Sequence, residues 1–472
     1  DWGKDRMTAM IRERSDWCIS RQRTWGLPIP VFYCEDCGKP ICTDETIDAV
    51  SKAFAEHGSD VWFDDSASIL PSSFRCPHCG NPPSESVPQF TRERDTLDCW
   101  FDSGSSWFSA DFIQEDDSGE RSATLYVEGN DQYRGWFQSS LLTSVAMRDK
   151  APYKLVLTNG WTLDGNGNAM HKSLGNVISP EELINQYGAD VVRLWASSVD
   201  YRSDMRVSYD LIKQLADAYL KIRNTARYVL GNIGGFLPDE PTQFRFMEPH
   251  DQWAVAKLNE LIGKVHDAYE HYDFHDVFRM IHNFCVVDMS NFYLDIIKDI
   301  LYCESGKRRW SAQTAIWRIL DALVRMLAPI LAFTSEEIWQ AMPHREFDNL
   351  ESVLLNPMPT FDESLTVDSA RWERFFKVRD SVLKSLEVMR VDKQIGKSLD
   401  AEVTVPECGF TEDELKLMLN VSKVTIGESI AVAPSNSPKC PRCWTHHETP
   451  RADGLCPRCA NELEWLNPGA RG

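Results

Sequence analysis

The run Gly165-Asn166-Gly167-Asn168-Ala169-Met170-His171-Lys172-Ser173-Leu174-Gly175-Asn176 sets one cation, Lys172, among flexible residues. A loop of this kind can carry positive charge to a phosphate as negative charge builds there, and then withdraw. Its exit reads as a helix start, with Ser179 as N-cap, Pro180 in the first turn and Glu182 as a capping-box partner. Gly188 then stands where a C-terminal cap belongs. The P-loop pattern does not apply, because His171 and not glycine precedes Lys172. The same composition also suits a plain surface turn, so the loop alone leaves both readings open.

Cysteine supplies the second chemistry. Of fourteen cysteines, eight fall in four C-x-x-C pairs, which points to metal binding in a reducing, cytoplasmic setting and not to disulfides. Cys440, Cys443, Cys456 and Cys459 form a compact ribbon pattern with 12 residues between the pairs. Cys34, Cys37, Cys76 and Cys79 form a looser one with 38 residues between, each pair followed by a glycine, Gly38 and Gly80. Four thiolates fill a tetrahedron, so each set predicts a structural Zn²⁺ with no open position. His446 and His447 are potential competitors at the first set. That ribbon also holds Arg442, Trp444 and Arg458, an aromatic and cationic mixture suited to unpaired bases; a protein-docking knob is the alternative.

These groups need elements to position them. Thr124–Gly129 and Tyr153–Gly160 read as strands, and Gln132–Arg148 between them as a helix with Phe137, Leu141, Leu142 and Val145 on one side. Strand–helix–strand predicts part of a parallel sheet, whose ligands gather at the carboxyl ends of the strands. Glu128, Gly129, Asp131 and Gln132 lie at such an end, as does the loop leading to Lys172. The plainer reading of Glu128 is a capping or surface carboxylate. Beyond residue 206 the pattern becomes helical: a helix capped by Asp210 and ended by Gly231, and a stripe through Ile316, Leu320, Leu323 and Leu327. Pro329 should end that helix, and Thr334 with Glu337 should open the next as a capping box. Short β-like runs at 401–405 and 421–426 surround a helix capped by Thr411 and Glu414.

At 472 residues the chain has room for two to four domains. No apolar run approaches the roughly 18 residues a bilayer span needs, so no membrane role is expected. The net charge of −21 argues against a general nucleic-acid binder but leaves local basic faces open. One such face holds Lys213, Lys221, Arg223 and Arg227, and another runs from Arg371 to Lys397; solvated helix faces of mixed charge are the alternative for both.

Taken together, these stretches resemble bacterial-type isoleucyl-tRNA synthetase, a class I aminoacyl-tRNA synthetase. Asp16–Pro30 resembles the segment that re-enters that family's catalytic domain, Glu128–Phe137 its substrate-binding segment, and Ala169-Met170-His171-Lys172-Ser173 its K-M-S-K-S loop. The ribbon is similar to that of the isoleucyl branch; valyl and leucyl relatives usually lack it. The resemblance implies a multidomain α/β plus all-α fold. Its parts are a re-entry segment (1–30), an inserted zinc knuckle (31–89), the second half of a Rossmann-like catalytic domain (90–205), a helical-bundle anticodon-binding domain (206–400) and a carboxyl-terminal zinc-ribbon domain (401–472).

By the same resemblance, Glu128, Gly129, Asp131 and Gln132 would line the isoleucyl-adenylate pocket. Met170, His171, Lys172 and Ser173 would bind ATP with Mg²⁺, and Lys172 would be the catalytic cation. Arg223, Arg227, Arg442, Trp444 and Arg458 would be tRNA contacts. L-isoleucine, ATP and tRNA(Ile) would be the ligands of a cytoplasmic monomer. Two departures stand out: Ala169 replaces the loop's first lysine and His171 its first serine. The family's H-I-G-H segment is nowhere in the sequence, so the expectation is a carboxyl-terminal portion, inactive by itself. The other readings are a non-catalytic tRNA-binding zinc module, a valyl- or leucyl-type synthetase, and a zinc-stabilised interaction scaffold.

Overall fold

The computed structural model describes residues 2–80, 90–110 and 122–466. Parts of the expected segments 31–89, 90–205 and 401–472 therefore lie outside the described residues. The chain forms two compact units, one of residues 1–161 with 202–204, the other of 162–201 with 205–472.

In the first unit, Ala123–Gly129 and Tyr153–Asn159 pair in parallel with the helix Trp136–Arg148 between them, as strand–helix–strand reading required. The helix does not bury the face its apolar residues suggested. Gln138, Ser139, Ser140, Thr143 and Ser144 are buried with Phe137, while Leu141 and Leu142 are half-buried and Val145 is exposed. The reason is close approach: a Cβ on Gly104 would come within 2.9 Å of Ser139. Thr143 donates to the Gly104 carbonyl at 2.7 Å and accepts from the Trp107 indole at 3.1 Å. Small hydroxyl side chains let the helices Cys99–Gly104 and Trp136–Arg148 touch, and the hydroxyls of Ser139, Thr143 and Ser144 donate to nearby backbone carbonyls.

The Asp16–Pro30 stretch is pinned through one buried carboxylate. Trp17 Nε1 and an Arg21 guanidinium nitrogen both donate to Asp98 Oδ2, at 2.8 and 2.9 Å. Around the Cys34, Cys37, Cys76 and Cys79 set, Phe32–Cys34 lies between Pro40–Ile41 and Phe90–Arg92 in an antiparallel sheet. The helix Asp44–His57, capped by Thr43, packs on Phe32, Ile41 and Trp62.

The second unit is mainly helical. Tyr209–Leu230, Pro249–Glu270, Lys307–Leu327 and Ser369–Val391 are its longest helices, and they share one core that includes Trp253, Tyr293, Ile316 and Trp339. Three caps differ from expectation. Ser208, not Asp210, caps Tyr209–Leu230, accepting from Leu211 N at 3.2 Å. Glu182 makes no capping box with Ser179; it accepts from the Tyr209 hydroxyl at 2.8 Å. Thr334 and Glu337 do not cap Ala332–Ala341, because Asp190 reaches across 144 positions to accept from Thr334 N at 2.7 Å, and Glu337 pairs with Arg223. In the last two cases a tertiary partner displaced the local one.

At the carboxyl end, Ala401–Val405 sits between Lys423–Ile426 (parallel) and Ala431–Pro434 (antiparallel), and Thr411 with Glu414 forms the expected capping box. Among the described residues no helix is long and apolar enough to cross a membrane.

Candidate ligand and metal sites

In the first unit, the parallel register sets Glu128 beside Thr158 and Gly129 beside Asn159, so both strand ends open on one edge. Glu128 and Asp131 are exposed there. Gln132 is fixed by two contacts: its Nε2 donates to Asp131 Oδ2 at 3.0 Å, and its Oε1 accepts from Trp136 N at 3.0 Å, starting the helix. A Cβ on Gly129 would come within 2.7 Å of Asp131 Oδ1. Gly129 therefore lets that carboxylate fold back over the strand end. Tyr126 stacks on Trp136 at 4.1 Å beneath these residues and makes their base rigid.

In the second unit, Thr162–Leu163 pairs with Met205–Arg206, and Leu163 bridges to Ala169, so the lysine run is a hairpin followed by a turn. Gly167 has φ +85° with the Arg206 guanidinium packed beneath it. The buried Asp164 carboxylate accepts from Asn166 N at 3.0 Å, Asn168 N at 2.8 Å and Asn176 Nδ2 at 2.9 Å. Those donors, the Asn176 amide first, hold the Asp164 carboxyl below its usual range. Asn176 also donates to the Ala169 carbonyl and accepts from His171 N at 2.9 Å. One amide therefore clips both sides of the loop. Sequence reading passed over Asp164 and Asn176 as carriers of the loop; the Asp-Gly pair before the run and the Gly-Asn pair closing it were the available signal.

Within this hairpin the four expected nucleotide-binding residues separate into an anchor and a displayed group. Met170 packs against the apolar cluster of Leu183, Val191, Val207 and Ile212. His171, Lys172 and Ser173 are exposed, and Lys172 has no ion-pair partner among the described residues. The substrate-binding candidates 128–132 belong to the first unit and the lysine run to the second. The loop is tied to the helical part of its own unit: Asp190 caps Ala332–Ala341, and Arg193 donates to the Pro329 and Ile330 carbonyls at 2.7 and 2.8 Å.

Both cysteine sets converge. In each, the four sulfurs lie within 4.8 Å of one another. Cys34 and Cys79 are 3.8 Å apart, Cys37 and Cys76 3.8 Å, and Cys443 and Cys456 3.7 Å. A tetrahedral ion with metal–sulfur bonds of about 2.3 Å spaces its ligands by about 3.8 Å, so each set can hold zinc with no position left open. Neither His446 nor His447 belongs to the cluster; His446 Nδ1 faces the Ser437 carbonyl at 2.6 Å.

The RNA-contact candidates divide. Arg458 ion-pairs with Asp299 and, at 2.8 Å, with Glu304, and Arg442 donates to the Cys303 carbonyl at 2.9 Å. Both fasten the ribbon to the helix Lys298–Cys303. Arg223 is held by Glu337 at 2.9 Å and by the Tyr219 hydroxyl. Arg227 and Trp444 remain exposed.

Comparison with known proteins matches this arrangement. Residues 1–208 match the family of tRNA synthetases class I (I, L, M and V), and residues 251–405 match the anticodon-binding domain of tRNA ligase. The chain is thus a homologue of the class I tRNA synthetases. Within that class, relatives over nearly its whole length include isoleucine–tRNA ligases. That of Caldanaerobacter subterraneus subsp. tengcongensis is 46% identical over 98% of this chain and 52% of its own length. That of Carboxydothermus hydrogenoformans is 47% identical over 98% of this chain and 53% of its own. The chain spans about half the length of the curated relatives it matches. A LeuRS–tRNA–LeuAMS ternary complex from Agrobacterium radiobacter K84 shares the fold, with a TM-score of 0.52 at 23% identity over 74% of this chain and 43% of that one.

Proposed function

We propose that this chain is part of an ATP-dependent isoleucine–tRNA ligase, supplying the lysine loop, a tRNA-binding helical domain and two structural zinc sites. The carrying observation is the identity of 46–47% to isoleucine–tRNA ligases across 98% of the chain. In this reading the carboxylate of isoleucine attacks the α-phosphorus of ATP, giving isoleucyl-adenylate and pyrophosphate, and the isoleucyl group then passes to the terminal ribose of tRNA. An amino-acid carboxylate is already ionised near neutral pH, so no general base is needed. Catalysis is then positioning plus charge stabilisation. Glu128, Asp131 and Gln132 hold the adenylate, Lys172 meets the phosphates together with Mg²⁺, and Asp164 and Asn176 keep the lysine loop in register. Ala169 removes one cation from that loop, and Lys172 carries the role by itself.

The test is isoleucine-dependent exchange of labelled pyrophosphate into ATP by the enzyme spanning the full length of its relatives, with valine and leucine as comparison substrates. Exchange with isoleucine is expected; preference for valine or leucine would move the protein to another branch. The 472-residue chain by itself, which has no H-I-G-H segment, is expected to bind tRNA without supporting exchange.

A further inference from the structure

Outside the two four-cysteine sets, Cys285, Cys303 and Cys408 are buried, whereas Cys18, Cys42 and Cys99 are exposed. Cys18 and Cys99 flank one pair of strands in the first unit. Ser20–Arg21 runs antiparallel to Thr96–Leu97, with Ser20 opposite Leu97 and Arg21 opposite Thr96. The same register, continued outward, sets Ile19 opposite Asp98 and Cys18 opposite Cys99. Asp98 N donates to the Ile19 carbonyl at 2.7 Å, so the pairing holds at least as far as Asp98. Directly opposed residues of an antiparallel pair stand about 4.5–5.5 Å apart at Cα, inside the roughly 4.4–6.8 Å that a disulfide spans.

Alternation assigns both thiols to one face. Side chains two apart on a strand share a face. Trp17 and Arg21 both reach Asp98, while Cys18 Sγ lies 3.7 Å from Ser20 Oγ. Cys18 and Ser20 therefore take the other face, the one to which the register assigns Cys99. The two sulfurs sit in different surroundings. The Ser20 hydroxyl first, then the Ser20 backbone and the Arg21 charge lower the Cys18 thiol from its ordinary value. Arg21 is fixed there, donating to the Cys18 and Ser20 carbonyls at 2.7 Å each as well as to Asp98. A lowered and accessible thiol is the better nucleophile and the first to oxidise. Cys99 Sγ faces Asp98 Oδ1 at 3.8 Å in the reduced chain, and bridging requires it to turn away about its Cα–Cβ bond.

We propose that Cys18 and Cys99 form a reversible oxidation site for a hydroperoxide, with Cys18 the attacking and Cys99 the resolving thiol. The Cys18 thiolate attacks a peroxide oxygen, the O–O bond breaks, hydroxide leaves and takes a proton from solvent, and Cys18 becomes a sulfenic acid. The Cys99 thiolate then attacks that sulfur, the S–O bond breaks and a second hydroxide leaves as water. The two thiols together lose two protons and two electrons, and hydrogen peroxide is reduced to two waters. A transient bond of this kind is compatible with the reducing setting that the C-x-x-C pairs indicate. It would tie the Asp16–Pro30 stretch to the helix Cys99–Gly104, whose Ser103 carbonyl accepts from the Trp136 indole at 2.9 Å.

The experiment treats the reduced, zinc-loaded 472-residue chain with an equimolar amount of hydrogen peroxide, alkylates the remaining thiols and maps the peptides by mass spectrometry. A Cys18–Cys99 link is the expected disulfide, with Cys42 alkylated, zinc retained and the link lost on adding dithiothreitol. Cys99→Val should lose the link and leave Cys18 as a sulfenic acid that dimedone traps; Cys18→Ser should leave Cys99 fully alkylated. Absence of the link in the parent chain would overturn the proposal, as would Cys42 joining either partner as often. Release of zinc before any link forms would make the knuckles the peroxide target and also overturn it. If Cys99→Val, melting as the parent does, gives no dimedone adduct at Cys18, the attacking role is refuted.

Discussion

Lys172 and Asn176 illustrate two different jobs within one loop. Lys172 is exposed and has no ion-pair partner among the described residues, whereas Asn176 makes three hydrogen bonds that fix the hairpin around Asp164. In the full-length enzyme, Lys172→Ala should slow adenylate formation by about 10²- to 10³-fold, as loss of one charge stabiliser does, with tRNA affinity unchanged; pyrophosphate exchange beside filter binding separates the two. Asn176→Ala should cut the same rate by a smaller factor and raise the KM for ATP, because it loosens the loop and leaves the charge. The buried pair His250 and Asp251 gives a pH test. Burial, set against hydrogen bonds from Ser311 and Tyr293, raises the Asp251 carboxyl to about 6, and burial with the nearby Arg308 lowers His250 to about 4. A raised carboxyl contributes stability below the unfolded value near 3.9 and loses it as pH rises through about 6; a depressed imidazole contributes above about 6.5 and loses it as pH falls toward 4. Their slopes oppose each other, so Asp251→Asn should expose the histidine's. Relative to the parent, it should gain on the order of 2–3 kcal/mol between pH 4 and pH 7, read from urea unfolding at each pH. A pH-independent difference would contradict the assignment. The identity of these residues was plain in the sequence, but the depth at which 250 and 251 sit was not.

At the scale of elements, the helix-spacing and capping signals located most helices correctly and misjudged what lay beside them. Thr411 with Glu414 acted locally as read, whereas the cap of Ala332–Ala341 comes from Asp190. Asp190→Ala should therefore destabilise the second unit by about 1–2 kcal/mol, the usual cost of losing a cap, and Thr334→Ala should lose much less through capping; thermal melts compare them. The helix Trp136–Arg148 shows the same limit, since its serine-rich side is buried by a close neighbour that periodicity cannot reveal. For the knuckles, zinc released on unfolding should amount to about two equivalents per chain. Chelation should lower the melting temperature, and Cys456→Ser should do so by freeing the ribbon that Arg442 and Arg458 hold to the helix Lys298–Cys303. Chelation that leaves the melt unchanged would deny the sites a structural role.

For the whole molecule, a net charge of −21 means that RNA must be met by local groups and not by the overall field. Arg227, Lys393 and Lys397 are exposed cations with no ion-pair partner among the described residues. With about three phosphate contacts, tRNA affinity should fall about 30- to 50-fold between 50 and 200 mM salt; a flat response would exclude this mode. Composition, the C-x-x-C spacings and the alternation of strand, helix and strand were enough to determine the α/β-plus-helical class, the two tetrahedral clusters and the parallel pair, because each depends on residues whose roles are set by nearby sequence. Tertiary structure alone decided which arginines are already bonded, which helix face is buried and that the lysine loop is built into the helical unit through Asp190 and Arg193. Those outcomes depend on partners from 36 to 154 positions away, and a one-dimensional pattern carries no information about which group will meet which.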